Sequence, residues 1–186
     1  MIEVKNVNVT IGKNEILQDI SAVFETGKIH GLIGRNGSGK TVLMKCICGF
    51  MKPTSGEVFV GGKQIGKEVD FAPDTGVIIE TPGFVPFYSG YRNLKILAGL
   101  NHKIGKEEIE EAIMEKPKLL ILDEPFNGLD KEGVEQMRTY FLELKKQGVT
   151  ILLSSHTSED IKLLCDTVTE MEKGKTVILN DRRNYQ

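Results

Sequence analysis

Eight consecutive residues in the first quarter of the chain have the types and spacing of a phosphate-binding loop. The segment Gly34–Thr41 reads GRNGSGKT and matches every fixed position of the pattern G-x-x-x-x-G-K-[ST]. Its glycines allow consecutive backbone N–H groups to turn toward phosphate oxygens. Lys40 supplies a positive charge for the terminal phosphates, and the Thr41 hydroxyl can bind Mg²⁺. The segment therefore predicts a site for a nucleoside triphosphate with magnesium.

The residues on either side of this loop fit the same interpretation. Lys28–Ile33 is typical of a short apolar strand, and Thr41–Cys48 predicts an apolar helix that Gly49 stops. A helix start after the loop would add the positive end of its dipole to the site. A chance glycine-rich turn is the alternative, but it does not require a strand before it and a helix after it.

Two adjacent carboxylates follow a second apolar strand. Lys118–Leu122 predicts a buried strand that delivers Asp123 and Glu124 at its carboxyl end, where ligands bind in open parallel sheets. Phosphoryl transfer needs a phosphate cradle, a metal and a group that orients water. We therefore assign Asp123 to the metal, together with Thr41, and Glu124 to the water as candidate base. Taken alone, the two acids could equally form a solvated turn.

His156 lies at the end of a third apolar strand, predicted over Thr150–Leu153, and follows two serines. In that position its ring could contact the terminal phosphate. A single histidine at a strand end is more often structural or exposed, and the residues alone leave both interpretations open.

The composition predicts an ordinary single-domain protein of 186 residues. Its net charge is −2 and its Lys and Arg residues are scattered, so we expect no nucleic-acid partner. The start of the chain lacks a signal-peptide pattern, and its longest apolar runs have the length of strands. Work on a membrane would therefore need a separate subunit. The three cysteines predict buried thiols in a reducing compartment, with metal binding second.

The remaining elements predict an α/β fold. Antiparallel strands come first, over Ile2–Val9 and Ser21–Phe24, and a mostly parallel sheet flanked by helices follows. Asp130 can cap a long amphipathic helix, and the chain closes with a hairpin around residues 173–175. Two further helices are predicted over Tyr91–Leu100 and Lys106–Glu115, the second with a solvated acidic face.

Four motifs, taken in order, resemble those of ATP-binding cassette (ABC) ATPases: Walker A at 34–41, Walker B at 119–125, the D-loop at 127–130 and the H-loop at 154–156. The resemblance covers nearly the whole chain. It implies a P-loop NTPase core and an ATPase that powers a separate transmembrane permease subunit from the cytoplasmic face of the membrane. It also implies a homodimer of nucleotide-binding domains that closes head to tail when ATP binds.

The resemblance assigns roles by position. Glu124 is the catalytic glutamate and His156 the switch histidine. The residues implied to bind ATP are Gly34, Asn36, Gly37, Ser38, Gly39, Lys40, Thr41 and Ile11, and those implied to bind Mg²⁺ are Thr41, Asp123 and Glu80.

Two positions depart from the usual pattern of the family. Ile11 stands where an aromatic residue usually stacks on adenine, which predicts weak, apolar base recognition. Glu80 replaces the usual glutamine of the Q-loop, and the surrounding Ile78–Phe84 resembles the bacitracin and lantibiotic export or immunity group. A surface acid at a strand end is the alternative for Glu80.

The largest departure is a missing motif. No Leu-Ser-Gly-Gly-Gln signature or recognisable variant occurs between Glu80 and Asp123, and two helix-like segments join directly at residues 111 and 112. We predict one domain, with 1–80 and 112–186 as the ATP-binding core and 81–111 as the remnant of a truncated helical subdomain. Either the segment is deleted from the molecule, or it is present in the protein and missing from this sequence because it was not observed.

The missing motif leaves alternatives to the transporter ATPase. A nucleotide-binding module without turnover is the first, because the family's signature completes the site of the opposite subunit. A cassette protein in DNA repair or translation is disfavoured by the single cassette and the absent basic patch. A small-molecule P-loop kinase would leave the segments at 127–130 and 154–156 unexplained.

Overall fold

The computed structural model describes residues 1–79, 117–155, 161 and 163–179. These residues form two α-helices of nine or more residues, α1 (Lys40–Cys48) and α2 (Lys131–Lys146). They also form ten β-strands: β1 (Ile2–Ile11), β2 (Asn14–Phe24), β3 (Ile29–Ile33), β4 (Ser55–Val60), β5 (Lys63–Gln64), β6 (Thr75–Ile78), β7 (Leu119–Leu122), β8 (Thr150–Ser154), β9 (Thr167–Glu172) and β10 (Lys175–Leu179). Neither helix is long and apolar enough to cross a membrane, within the part of the chain that the structure describes.

The first sheet is antiparallel and has the strand order β2-β1-β4-β5. Strand β2 runs unbroken from Asn14 to Phe24. The sequence pattern instead predicts a separate strand that begins at Ser21. The chain bulges at Asp19, whose φ of 51° is left-handed, and does not turn there. Asn6, also left-handed, donates a 2.8 Å hydrogen bond to Asp19 Oδ1 across the two strands.

The second sheet has the strand order β10-β9-β3-β8-β7-β6. All neighbouring pairs are parallel except β9 and β10, which form the predicted closing hairpin. Because β8 lies between β3 and β7, the loops that follow these three parallel strands emerge side by side at the same end of the sheet. This topology brings the phosphate loop, Gly34–Thr41, and the Asp123–Glu124 pair to the same end of the sheet.

Helix α1 is buried between the two sheets. Leu43, Met44 and Ile47 are inaccessible to solvent and belong to one apolar cluster with side chains of both sheets. Burying each such side chain stabilises the fold by about 1.5–3 kcal/mol. Cys46 and Cys48 are buried in the same helix, as the sequence predicts. Since α1 begins at the phosphate loop, the core holds that loop in place.

Helix α2 covers the opposite face of the parallel sheet. Met137, Phe141 and Leu144 pack in a second apolar cluster with strands β3, β7 and β8. Asp130 caps this helix by accepting a 2.8 Å hydrogen bond from the Gly133 backbone N–H, which confirms the predicted cap. A mostly parallel sheet between helices, with an antiparallel sheet from the N-terminal part, confirms the predicted α/β class.

Several predictions fall outside the described residues. They concern Glu80, His156, the two helices over Tyr91–Leu100 and Lys106–Glu115, and the segment 81–111 assigned to a helical subdomain. They stay predictions.

Candidate nucleotide site

The start of α1 directs backbone N–H donors that have no intrahelical partner toward the phosphate loop. Its N-cap is Gly39, with φ 104°, which has no side chain to accept a hydrogen bond from the first turn. That turn also contains no acidic residue. The first N–H groups of a helix have no partner within the helix and carry the positive end of its dipole, so this helix start favours a bound phosphate.

Two glycines of the loop are required by packing as well as by conformation. At Gly34, with φ 149°, a Cβ would lie 2.3 Å from the Met171 carbonyl oxygen of β9. At Gly39 it would lie 2.7 Å from Leu17 Cδ2 of β2. Both distances are shorter than ordinary Cβ contacts, so a larger residue would force the Met171 backbone or the buried Leu17 side chain to shift. The loop is therefore wedged between strands of both sheets.

Two side chains of the loop present donors for phosphate oxygens. The Ser38 hydroxyl is buried and has no hydrogen-bond partner among the residues that the structure describes. Such a group is costly unless a ligand or water satisfies it. Lys40 is 7% exposed, and its Nζ donates to the Gly34 carbonyl at 2.7 Å and to the Arg35 carbonyl at 3.4 Å. A buried hydroxyl and an ammonium group beside a free helix start fit the phosphates of a nucleotide.

Asp123 is held by two hydroxyl groups, one on each carboxylate oxygen. Thr41 Oγ1 donates to Oδ2 at 2.6 Å, and Ser154 Oγ donates to Oδ1 at 2.5 Å. The Asp123 N–H donates to the Ile78 carbonyl at 2.7 Å, which ties the end of β7 to the end of β6. Hydroxyl and carboxylate oxygens are ligands that Mg²⁺ prefers. Thr41 and Asp123 therefore fit the predicted metal.

The described residues contain no cluster of three or more His, Cys, Asp or Glu side chains arranged around a metal.

Glu124 has a strained backbone and lies close to the phosphate lysine. Its φ is 50°, in the left-handed region, which costs a non-glycine residue about 1–2 kcal/mol. Its N–H donates to Ser154 Oγ at 2.7 Å, and its Oε1 lies 4.0 Å from Lys40 Nζ. The side chain is 20% exposed, so water can reach the carboxylate. These features suit a group that orients water beside the terminal phosphate.

The structure thus brings Ser38, Lys40, Thr41, Asp123 and Glu124 together, as the motifs predict. Asn36 and Gly37 are exposed at the tip of the loop. Ile11 is half exposed at the end of β1, beside the turn into β2.

Ser154 was missed by sequence reasoning, which names it only as a neighbour of His156. The available signal was a serine directly after the apolar run Ile151–Leu153. Its hydroxyl contacts both Asp123 and Glu124 in the folded chain.

A family model described as "ABC transporter" matches residues 17–111, which include the phosphate loop. The match ends at the junction of the two helix-like segments noted in the sequence.

Three relatives are similar over most of the chain. The uncharacterized ABC transporter ATP-binding protein YybJ of Bacillus subtilis (strain 168) is 38% identical, and the alignment covers 94% of each protein. The bacitracin transport ATP-binding protein BcrA of Enterococcus faecalis is 34% identical, over 95% of this chain and 68% of BcrA. The lantibiotic transport ATP-binding protein SrtF of Streptococcus pyogenes is 30% identical, over 96% of this chain and 90% of SrtF.

Solved structures show the same fold. MJ1267, an ATP-binding cassette of an ABC transporter, superimposes with a TM-score of 0.80 over 100% of this chain and 93% of its own, at 22% identity. The ATP-binding cassette MJ0796, solved as a dimer in a post-hydrolysis state with ADP and Pi, gives a TM-score of 0.74 at 17% identity. That match covers 97% of this chain and 99% of the cassette.

Proposed function

Because the chain belongs to the family of ABC transporter ATP-binding proteins, we propose that the site between β3 and β7 binds and hydrolyses ATP. The observation that carries this proposal is the 2.6 Å hydrogen bond between Thr41 Oγ1 and Asp123 Oδ2. It joins Thr41, which follows the phosphate lysine, to the first of the two carboxylates, and so supports the proposal of a phosphate cradle, a metal site and a base at one location.

The loop residues bind the phosphates in this proposal. Lys40 turns from the carbonyls of Gly34 and Arg35 to the terminal phosphates, and the buried Ser38 hydroxyl gains an acceptor. Asn36 and Gly37 lie at the exposed tip of the loop, where their N–H groups can close over the phosphates. Ile11 offers an apolar contact to the base and no aromatic ring to stack on it.

Thr41 and Asp123 hold Mg²⁺ in this proposal, with Glu80 as a third contributor. The ion, when bound, neutralises charge that develops on the phosphate oxygens. The fit rests on the chemistry of the donors, a hydroxyl and a carboxylate that already lie within hydrogen-bond distance of each other.

Glu124 orients the attacking water and accepts its proton, and His156 contacts the terminal phosphate. Support for the role of Glu124 comes from its left-handed backbone, its partial exposure and its 4.0 Å separation from Lys40 Nζ. A correctly placed general base contributes about 10²- to 10⁴-fold to a reaction rate.

We propose that the chain works at the cytoplasmic face of a membrane, on a separate permease subunit. The similarity to BcrA and SrtF, which are bacitracin and lantibiotic transport ATP-binding proteins, supports a transport role. The dimeric form reported for MJ0796 supports the proposal that two copies associate when ATP binds.

A shortened helical subdomain would limit what such a dimer can do. The alignment with YybJ runs over 205 residues, more than the 186 of this chain, so part of the relative has no counterpart here. We infer that this part includes the signature, because the family match stops at residue 111. If the protein from its source also lacks the signature, the second candidate function, nucleotide binding without turnover, applies. The intact mass of the protein from its source decides this: 20.7 kDa means a deletion, and a mass several kilodaltons heavier means that the segment exists.

The proposed function is tested by measuring ATP hydrolysis at increasing protein concentration with Mg²⁺. We expect the rate per molecule to rise with concentration, since two copies must meet. Glu124→Gln should reduce the rate at least about 100-fold and leave the affinity for ATP unchanged. Glu143→Gln, an exposed carboxylate on α2, is the matched control and should behave like the unmodified chain.

Two results would contradict the proposal in different ways. Hydrolysis at the unmodified rate in Glu124→Gln would remove the assignment of the base. Magnesium-dependent ATP binding with no hydrolysis at any protein concentration would replace the ATPase with the binding module.

A further inference from the structure

We propose that Ser154 is a positioning residue, which holds the metal-binding carboxylate and the backbone of the candidate base in one arrangement. The inference rests on the proposed function, because the metal concerned is the one assigned to Thr41 and Asp123. Ser154 itself contacts neither nucleotide nor metal in this proposal, and acts through Asp123 and Glu124.

The sheet topology places Ser154 between the two halves of the site. It is the last residue of β8, and β8 lies between β3, which leads to the phosphate loop, and β7, which leads to Asp123. Leu32 of β3 is its direct neighbour in the sheet, while Leu122 of β7 is the neighbour of Leu153. The side chain is completely buried.

One hydroxyl group makes both contacts. Ser154 Oγ donates to Asp123 Oδ1 at 2.5 Å and accepts from the Glu124 N–H at 2.7 Å. A serine hydroxyl has one proton, so donation to the carboxylate leaves its lone pairs for the N–H group. The hydroxyl therefore acts as the donor toward Asp123 and as the acceptor toward Glu124.

These bonds restrict the two groups that the chemistry needs. Because Oδ1 of Asp123 is held by Ser154, the carboxylate presents Oδ2 to Thr41, on the side of the metal site. Because the N–H of Glu124 is held by the same oxygen, the left-handed φ of 50° at Glu124 is stabilised. Hydrogen bonds that orient a metal ligand commonly change metal affinity by about 10- to 100-fold.

A second buried hydroxyl on the same strand provides the matched control. Thr150, at the opposite end of β8, is 3% exposed and accepts a 3.0 Å hydrogen bond from the Gly27 N–H. It makes the same kind of bond in the same strand, but its partner lies away from the phosphate loop and both carboxylates. Thr150→Val removes this bond at nearly constant volume.

The test uses Mn²⁺ as a paramagnetic substitute for Mg²⁺. The affinity of Mn²⁺ for the full chain saturated with a non-hydrolysable ATP analogue is measured by electron paramagnetic resonance. Nucleotide affinity is measured separately in a metal chelator. For Ser154→Ala we expect Mn²⁺ to bind about 10- to 100-fold more weakly while metal-free nucleotide affinity is unchanged. For Ser154→Cys, which keeps a weak donor, the loss should be smaller, and Thr150→Val should change neither value.

The outcomes separate this inference from the function on which it rests. Thermal unfolding verifies that each variant is folded, and Ser154→Cys decides the result if Ser154→Ala does not fold. Mn²⁺ affinity within twofold of the unmodified protein in a folded Ser154 variant overturns the positioning role. If the unmodified chain with nucleotide binds Mn²⁺ no more tightly than free nucleotide does, the proposed metal site itself fails.

Discussion

Thr41 and Asp123 are 82 positions apart in the sequence and are joined by a hydrogen bond of 2.6 Å between Thr41 Oγ1 and Asp123 Oδ2. Thr41 lies in the first turn of α1, which the core holds between two sheets, and Asp123 follows β7 of the parallel sheet. The bond therefore connects two rigid elements at the edge where the phosphate loop emerges. A substitution of Thr41 or Asp123 should therefore remove one half of the candidate metal site and leave the other half in position.

Lys40→Ala should remove most of the affinity for ATP. The ammonium group is the only side-chain charge in the second half of the loop, and hydrogen bonds to charged groups contribute about 1.5–3 kcal/mol. A loss of about 2–3 kcal/mol weakens binding about 30- to 150-fold. Isothermal titration calorimetry measures this directly. Lys63→Ala, an exposed lysine in β5, should bind as the unmodified chain does, and equal affinities for the two variants would exclude the role assigned to Lys40.

Glu124→Gly should be more stable than Glu124→Ala by about 1 kcal/mol. Both variants remove the carboxylate, but only glycine adopts a φ of 50° without the steric cost of a Cβ. The difference in free energy of unfolding, from urea titrations, compares two variants that both lack the carboxylate, and the relief of strain should exceed the entropy that glycine adds to the unfolded chain. A Glu124→Ala variant as stable as Glu124→Gly would contradict this net cost of the left-handed backbone.

The buried His30 should make folding stability depend on pH. Its Nδ1 lies 2.6 Å from Thr167 Oγ1, and its Nε2 lies 2.8 Å from the Glu25 carbonyl, to which it donates. Burial lowers the pKa of His30 below its ordinary value of 6.5, although the bond to Glu25 opposes the change. The unfolded chain therefore binds more protons than the folded chain as the pH falls through 6.5, and stability decreases.

His30→Gln should remove this contribution. We expect the free energy of unfolding of the unmodified chain to fall between pH 7 and pH 5, by at most about 1.4 kcal/mol per pH unit from this group. The variant should show a shallower slope over the same range, measured by urea unfolding at several pH values. Identical slopes would assign the pH dependence to other groups.

The thiols of α1 should resist modification in the folded protein. Burial raises the pKa of Cys46 to about 12, and burial with a smaller contribution from Cys46 raises the pKa of Cys48 to about 12. At pH 8 neither thiol forms the reactive thiolate, so a disulfide reagent should label them only when the chain opens. The same thiols should react within minutes in urea.

Nucleotide should slow this labelling further. Because α1 begins at the phosphate loop, ATP at 100 times its dissociation constant would stabilise the folded chain against unfolding by about 2.7 kcal/mol. That corresponds to labelling about 100-fold slower when the whole chain must open. Rapid labelling of the native chain, with or without ATP, would contradict the burial of α1.

The sequence alone predicted the features that depend on local chemistry. The glycines, lysine and threonine of residues 34–41 predict a phosphate loop because each is required at its own position, whatever lies elsewhere in the chain. The limits of α1 and the Asp130 cap of α2 are equally local, since a helix begins and ends on its own flanking residues. Glu80 and His156 stay predictions, because they lie outside the described residues.

The tertiary structure decided what depends on distance through space. The sequence pattern divides β2 before Ser21, whereas pairing with β1 carries the strand through a bulge at Asp19. Ser154 follows an apolar run and has no local sign of function, yet the strand order β3-β8-β7 places its hydroxyl against Asp123 and Glu124. Side-chain types can be read along a chain, but the neighbours of a buried hydroxyl are set by strand order, which brings together residues that are far apart in sequence.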